Sequence, residues 1–294
     1  MLLTAAGLAL VAAALVILGL NLADRKLQRH VALPERTVLV PTTDAALQRG
    51  GYLFASRGCA ECHGAKGAGH VVIDDAMGLF VRAPDITPAP GGVVAGYSTA
   101  DWVRSIRQGV KPDGRPLFVM PSEDFNRLSD DDTGALIAYM RQLPPAQGMK
   151  AEFRLPLPVR LAYGYGALKD AAERIDPLLP PQPAVPDGVT AEHGAYVAQS
   201  CKGCHGIGLA GGPIPGAPPS WPDAANLTPG AGSVLPIYAD RAAFVAMMKS
   251  GLRPDGSRVD AVMPFTSFAA MNDVDLQALH LYFNTLAPRE RGSR

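Results

Sequence analysis

The first twenty residues, MLLTAAGLALVAAALVILGL, carry no charge, and the apolar run continues to Leu22 and Ala23 with one interruption at Asn21. As a helix, about twenty residues span roughly 30 Å, the thickness of a bilayer's hydrocarbon core. A cleaved secretory signal has a basic start and a shorter apolar stretch of about 7–15 residues. This segment has neither, so the pattern predicts an uncleaved transmembrane helix over residues 1–23, and its uniform composition argues against a buried core helix.

Beyond a short linker at 24–43, the polar and apolar positions fall into an order that occurs twice. Helices are predicted over 45–56 and 191–200, each leading into a cysteine motif. Loops rich in glycine and proline follow, containing Pro84-Asp85-Ile86-Thr87-Pro88 and Asn226-Leu227-Thr228-Pro229. Amphipathic helices over 99–109 and 240–251 each end at a glycine, as helix C-termini often do. Pro112-Asp113-Gly114 and Pro254-Asp255-Gly256 then read as turns. The closing helices, 130–143 and 273–286, begin after the N-cap residues Ser129 and Asn272. Leu136, Ile137, Met140 and Leu143 recur at helical spacing on one, and Leu276, Leu279, Phe283 and Leu286 on the other. The repeat implies two domains, 44–150 and 188–290, joined by a linker over 151–187. Within that linker, 155–158 reads as extended, 159–174 as helical and 176–186 as a stiff proline-rich spacer, holding the domains apart or draped over one of them.

All four cysteines lie in two copies of one motif, Cys59-Ala60-Glu61-Cys62-His63 and Cys201-Lys202-Gly203-Cys204-His205. C-x-x-C-H is the attachment signature of haem c: two thiols three positions apart bond the two vinyl groups of one porphyrin. The histidine then meets one face of the iron. A zinc knuckle would use two such pairs about 15–20 residues apart, whereas 138 residues separate these. A thioredoxin-like dithiol or a pair of structural disulfides would not require a histidine after each pair.

An electron-carrying haem needs a second axial ligand, and Met/His ligation raises the potential by favouring reduced iron. Of nine methionines, Met120 and Met263 each precede proline and lie 57 and 58 positions beyond His63 and His205. Proline disfavours helical backbone at the residue before it, which suits a loop turned toward iron. Met120 and Met263 are therefore the expected distal ligands, with Met77 in reserve for the first haem and His70, His193 and His280 as weaker substitutes. Met140, Met247, Met248 and Met271 fit core packing.

These motifs resemble those of di-haem class I cytochromes c, and in particular the haem modules of the cytochrome subunits of bacterial membrane-bound alcohol and aldehyde dehydrogenases. The resemblance is carried over residues 44–290 by the C-x-x-C-H-G starts, the Ile/Leu-Thr-Pro loops, the Pro-Asp-Gly turns and the Met-Pro loops. Residues 153–160 also look like the connection between modules in those subunits, although the latter commonly carry three haems and this chain has two motifs. The resemblance implies a mostly α fold: two tandem class I cytochrome c domains after an N-terminal transmembrane helix. It implies two covalently bound haem c, held by Cys59, Cys62, Cys201 and Cys204, with His63/Met120 and His205/Met263 on the irons. It also implies a single-pass anchor in the bacterial inner membrane and haem domains in the periplasm. Electrons would pass from a periplasmic or membrane dehydrogenase to a quinone or terminal oxidase.

Arg25, Lys26 and Arg29 follow the apolar segment, where the positive-inside rule would favour the cytoplasm. Covalent haem attachment argues for the opposite side, and the basic flank is then expected to meet anionic lipid or a partner subunit. Net charge is formally zero, with 27 basic and 27 acidic residues, so no nucleic-acid footprint exists. The acidic run Asp130-Asp131-Asp132 reads as a helix first turn favoured by the macrodipole. Aromatic content of 6% fits cores completed by porphyrin. No dinucleotide fingerprint, P-loop or nucleophile elbow is present. The chain is thus expected to be an electron carrier with no catalytic residue of its own. A di-haem peroxidase or thiosulfate dehydrogenase would need an iron without methionine, and a non-diffusing anchor subunit of a dehydrogenase complex is a third reading.

Overall fold

The structure, a computed structural model, describes residues 2–180 and 182–293, so Met1 of the apolar segment and Pro181 of the proline-rich spacer lie outside it. The apolar segment forms α1 (Leu2–Gln28), a continuous helix running five residues past the expected 1–23. Next come α2 (Asp44–Ser56), α3 (Cys59–His63), a hairpin β1–β2 (His70–Asp74, Phe80–Ala83), α4 (Thr99–Gln108), α5 (Ser122–Phe125) and α6 (Asp130–Met140). Strand β3 (Glu152–Arg154) returns to pair with β2, and α7 (Leu157–Gly164) and α8 (Ala171–Arg174) lead into the second half. There α9 (Ala191–Val197), α10 (Lys202–His205), α11 (Arg241–Ser250), α12 (Phe265–Ala269) and α13 (Asp273–Thr285) follow. The fold is mostly helical, with one N-terminal apolar helix.

Local sequence accounts for these elements. Ser129 and Asn272 cap α6 and α13, their side chains accepting from the amides of Asp132 and Asp275. Gly109 and Gly251 end α4 and α11 at φ of 67° and 71°. Each Pro-Asp-Gly turn closes a short loop of matching geometry, with Lys111 N donating to Arg115 O and Arg253 N to Ser257 O, both at 2.8 Å. The hairpin 70–83 corrects the expectation of an irregular loop. Its β-branched Val71, Val72 and Ile73 favour strand, and the Asp75 carboxylate accepts from the amides of Met77 and Leu79 to close the turn.

Two hydrophobic cores organise the chain. In the first, Leu53 and Phe54 of α2 meet Trp102, Val103, Leu136 and Ile137. In the second, Val197 meets Phe244, Met248, Leu276, Leu279 and Phe283. Opening and closing helices cross closely in both. A Cβ on Gly50 would collide with the Ala135 carbonyl, and one on Gly194 with that of Ala278.

The halves are joined by reciprocal polar contacts. The Tyr52 hydroxyl donates to Asp275 (2.5 Å) and accepts from Asn272 N (3.2 Å). The Tyr196 hydroxyl donates to Asp132 (2.7 Å) and accepts from Ser129 N (3.1 Å). Each carboxylate also has a partner within its own half: Arg49 forks onto Asp132 (2.7 and 2.9 Å), and His193 Nε2 donates to Asp275 (2.7 Å). Arg57 adds a buried bond to Asp275 at 2.6 Å. The acidic run of α6 is thus a first turn whose Asp130 and Asp132 are also paired, with Arg107 and Arg49.

The linker differs from expectation in two respects. Residues 159–174 are two short helices, α7 starting earlier at Leu157 and ending before Gly166, which takes φ 83°. The proline-rich spacer drapes over the first half, where Arg36 donates to the carbonyls of Pro177 and Leu179 and Arg127 to that of Pro180. Two residues of the basic flank, Lys26 and Arg29, are likewise paired inside the protein, and Arg25 is exposed. Arg29 forks onto Asp170 (2.6 and 2.8 Å), and Lys26 reaches Glu173 (3.0 Å) and lies over the Tyr163 ring.

Burial alone would raise the Asp275 pKa, yet the bond from His193, the Arg57 charge and the Tyr52 hydroxyl hold it well below the usual carboxylate range. A carboxyl depressed by folding adds stability that is present above its unfolded value and lost as pH falls through the folded one. Asp275→Asn should cost about 3–5 kcal/mol at neutral pH, because Arg57 is left buried without its counter-charge. Urea denaturation followed by circular dichroism should also show the variant's deficit shrinking as pH falls below about 4.

Candidate functional site

Each cysteine motif forms a short helix ending at a glycine: Gly64 with φ 75° and Gly206 with φ 82°. The chain then doubles back, so that Gly69 N donates to His63 O and Gly211 N to His205 O, both at 2.9 Å. The loops of the Ile/Leu-Thr-Pro repeat are fixed by buried polar residues. Asp85 accepts from Thr87 N and Gly148 N, while Asn226 accepts from Thr228 N and donates to Arg289 O. These bonds hold the carbonyl just before each loop against an imidazole: Pro84 O lies 2.9 Å from His63 Nδ1, and Ala225 O 2.8 Å from His205 Nδ1.

A carbonyl oxygen only accepts, so Nδ1 of each ring carries the proton and Nε2 is the electron-pair donor. Metal-ligating histidines are oriented in this way by a second bond. Burial pushes the His63 pKa down, which keeps the ring neutral. The Cys59 and Cys201 thiols are pushed up to about 12 by burial, so both are held as S–H. No disulfide joins the four cysteines, and among the described residues no three His, Cys, Asp or Glu side chains converge as a metal-ion site.

Met120, Cys59 and Ala60 are each partly buried against the first core, and Met263 and Cys201 against the second. The other candidate ligands are placed differently. Met77 is two-thirds exposed at the hairpin turn, and His70 is exposed on β1. His193 is engaged by Asp275, and His280 Nε2 donates to Tyr238 O at 2.8 Å.

Residues 47–144, a third of the chain, match the family described as "Cytochrome c". Residues 47–144 are a cytochrome c domain. The chain is similar to the fructose dehydrogenase cytochrome subunit of Gluconobacter japonicus, at 32% identity over 43% of this chain and 27% of that protein. It is similar to the gluconate 2-dehydrogenase cytochrome c subunit of Pantoea cypripedii, at 30% over 55% of this chain and 38% of the relative. A diheme cytochrome c-type protein of Cereibacter sphaeroides is 27% identical over 80% of this chain and 83% of its own. The chain therefore spans well under half the length of the dehydrogenase subunits it matches. The matched segment, residues 47–144, contains the first motif, and a cytochrome c match there implies covalent haem c. The donor set fits: two free thiols three positions apart and an imidazole whose proton is fixed away from the metal-binding nitrogen.

Around these motifs lie residues that the sequence pattern did not single out. Glu61 of α3 accepts from Ser267 N (2.9 Å) and Ser267 Oγ (3.1 Å) of α12. In the reciprocal position, Gly203 of α10 lies against the Asp124 carboxylate of α5. Each motif helix thus touches the helix that follows the other half's Met-Pro loop. The signal was present as a constant offset: 61 to 203, 124 to 267 and 52 to 196 differ by 142 to 144 positions, like the motifs themselves.

Burial, with repulsion from Glu123, pushes the Asp124 pKa up to about 8, and its Oδ1 has no hydrogen-bond partner. The folded chain therefore binds a proton here that the unfolded chain releases above about pH 4, so this residue lowers stability as pH rises. Asp124→Asn should leave the melting temperature near pH 4 unchanged and raise it at pH 8, as calorimetry across that range would report.

Proposed function

We propose that this chain is a membrane-anchored cytochrome holding two covalently bound haem c groups, one in each of two tandem class I cytochrome c domains at 44–150 and 188–290. One observation carries the reading: the whole constellation occurs twice, each with its imidazole fixed by a loop carbonyl and its Met-Pro loop on the same core. Cys59 and Cys62 would tether one porphyrin by thioethers and Cys201 and Cys204 the other, with His63 and His205 as proximal ligands and Met120 and Met263 as distal ligands. The iron supplies reversible one-electron chemistry when bound.

The chain's own part is positioning and tuning. The Pro84 and Ala225 carbonyls orient the imidazoles. The thioethers of Met120 and Met263 favour reduced iron, and the surrounding apolar residues exclude water. The contacts of Glu61 with Ser267 and of Gly203 with Asp124 keep both motif helices at the junction of the halves. Electrons entering one half would then pass to the other across this junction. The fructose and alcohol dehydrogenase cytochrome subunits among the relatives support a dehydrogenase as donor. A quinone or terminal oxidase is the proposed acceptor. The apolar length of α1 supports an inner-membrane anchor, and the proposed covalent haem attachment goes with haem domains in the periplasm.

Mass spectrometry of the matured protein should find two haems per chain. In a redox titration followed optically, Met120→Ala should abolish the far-red methionine-to-iron charge-transfer band of one haem and lower that haem's potential. Met263→Ala should do the same for the other haem. Persistence of both bands in either variant would overturn that ligand assignment.

A further inference from the structure

Helix α7 is packed against the part of α1 that the apolar pattern assigns to the bilayer. A Cβ on Gly164 would strike the Gly19 carbonyl, and one on Gly19 would meet Leu161 and Tyr165. Ala23 is fully buried in this contact region, and the Tyr165 hydroxyl donates to Leu15 O. As α7 advances from Arg160, paired with Asp24 at 2.8 Å, to Tyr165, its neighbours on α1 recede from residue 24 to residue 15. The two helices are therefore antiparallel, and the end of α7 points into the span. A helix rises 1.5 Å per residue, so the Leu15 carbonyl sits roughly 13 Å below Asp24, the first charge after the apolar run.

The composition fits that depth. Between Arg154 and Lys169 the only charged residue is Arg160, and its charge is turned back to Asp24. Tyr165, Gly166 and Ala167, at the turn after α7, are all exposed. Leu168 lies alongside Gly216, in the loop PIPGAPPSWP (213–222), which also carries no charge and contains Trp221. Uncharged segments with Tyr and Trp at the edge are what the lipid–water interface selects.

We propose that the turn following α7, residues 164–168, is immersed in the bilayer leaflet facing the haem domains, with the 213–222 loop resting at its surface. The ligand is the lipid surface itself. The pairs Arg29–Asp170 and Lys26–Glu173 lock the interdomain segment to α1 above this level. The haem domains are then fixed to the anchor at a set height and tilt, in place of swinging on a tether. This rests on α1 being the membrane anchor proposed above.

The test is photo-crosslinking of the full-length holoprotein in nanodiscs of phosphatidylethanolamine and phosphatidylglycerol. The photoreactive residue p-benzoylphenylalanine is placed singly at Tyr165, Ala167, Leu10 or Ile207. Ala167 is exposed, so that variant keeps the fold even if loss of the Tyr165 hydroxyl disturbs it, and the visible spectrum reports intact holoprotein in each case. Mass spectrometry should find phospholipid adducts at Tyr165 and Ala167 as strongly as at Leu10, and none at Ile207, which is 85% exposed in the second half. Adducts at Leu10 with none at Tyr165 and Ala167 would overturn the immersion while leaving the anchor. No adduct at Leu10 would overturn the anchor and the immersion with it.

Discussion

A carboxylate at the start of each closing helix, taken up by a tyrosine from the opposite half, is the constraint on which the rest of this structure depends. Asp132 receives Tyr196 and Asp275 receives Tyr52. Both acids stand in a helix first turn, where the macrodipole already favours negative charge. Both are also held from their own half, by Arg49 and by His193. The same acid thus pins opening helix to closing helix within a half and carries the bond between halves. Loss of either carboxylate would loosen a core and the junction together.

That junction matters because of what lies beside it. Arg57, which bridges to Asp275, lies two residues before Cys59 of the first motif, and Ser267, bonded to Glu61, follows the second Met-Pro loop. The polar contacts that join the halves therefore also fix the backbone bearing the attachment cysteines. A carrier of single electrons gains from such rigidity, since its positioned groups need not reorganise when charge moves. The alternation of glycine- and proline-rich loops with short helices is economical only if another apolar body shares the interior, the role proposed for the porphyrins.

Much of this was legible in the sequence. Ser129, Asn272, Gly109 and Gly251 mark helix ends through local backbone chemistry, and the structure puts them there. The cysteine motifs announce their own geometry for the same reason. What stayed hidden depended on partners distant in the chain. Nothing near Pro84 or Ala225 says that its carbonyl will meet an imidazole some twenty residues back, because Asp85 and Asn226 set that contact through residues 148 and 289. The hairpin 70–83 was obscured by the glycines on either side, and β3 joins it from seventy residues away. Nothing local to Tyr52 or Tyr196 points to the acids that their hydroxyls meet across the junction.

The basic residues after α1 make the same point about topology. Read locally, Arg25, Lys26 and Arg29 are a positive flank that places the following chain on the cytoplasmic side. In the fold, Arg29 is consumed by Asp170 and Tyr163, and Lys26 by Glu173 and the Tyr163 ring and carbonyl. Removing Asp170 would leave Arg29 without its counter-ion and Tyr163 without an acceptor, so Lys26 and Arg29 are explained by the packing of α7 and α8, while Arg25 stays exposed. The positions of the two paired cations are set by tertiary structure. A charge that the fold requires carries less information about sidedness than one that it leaves in solvent.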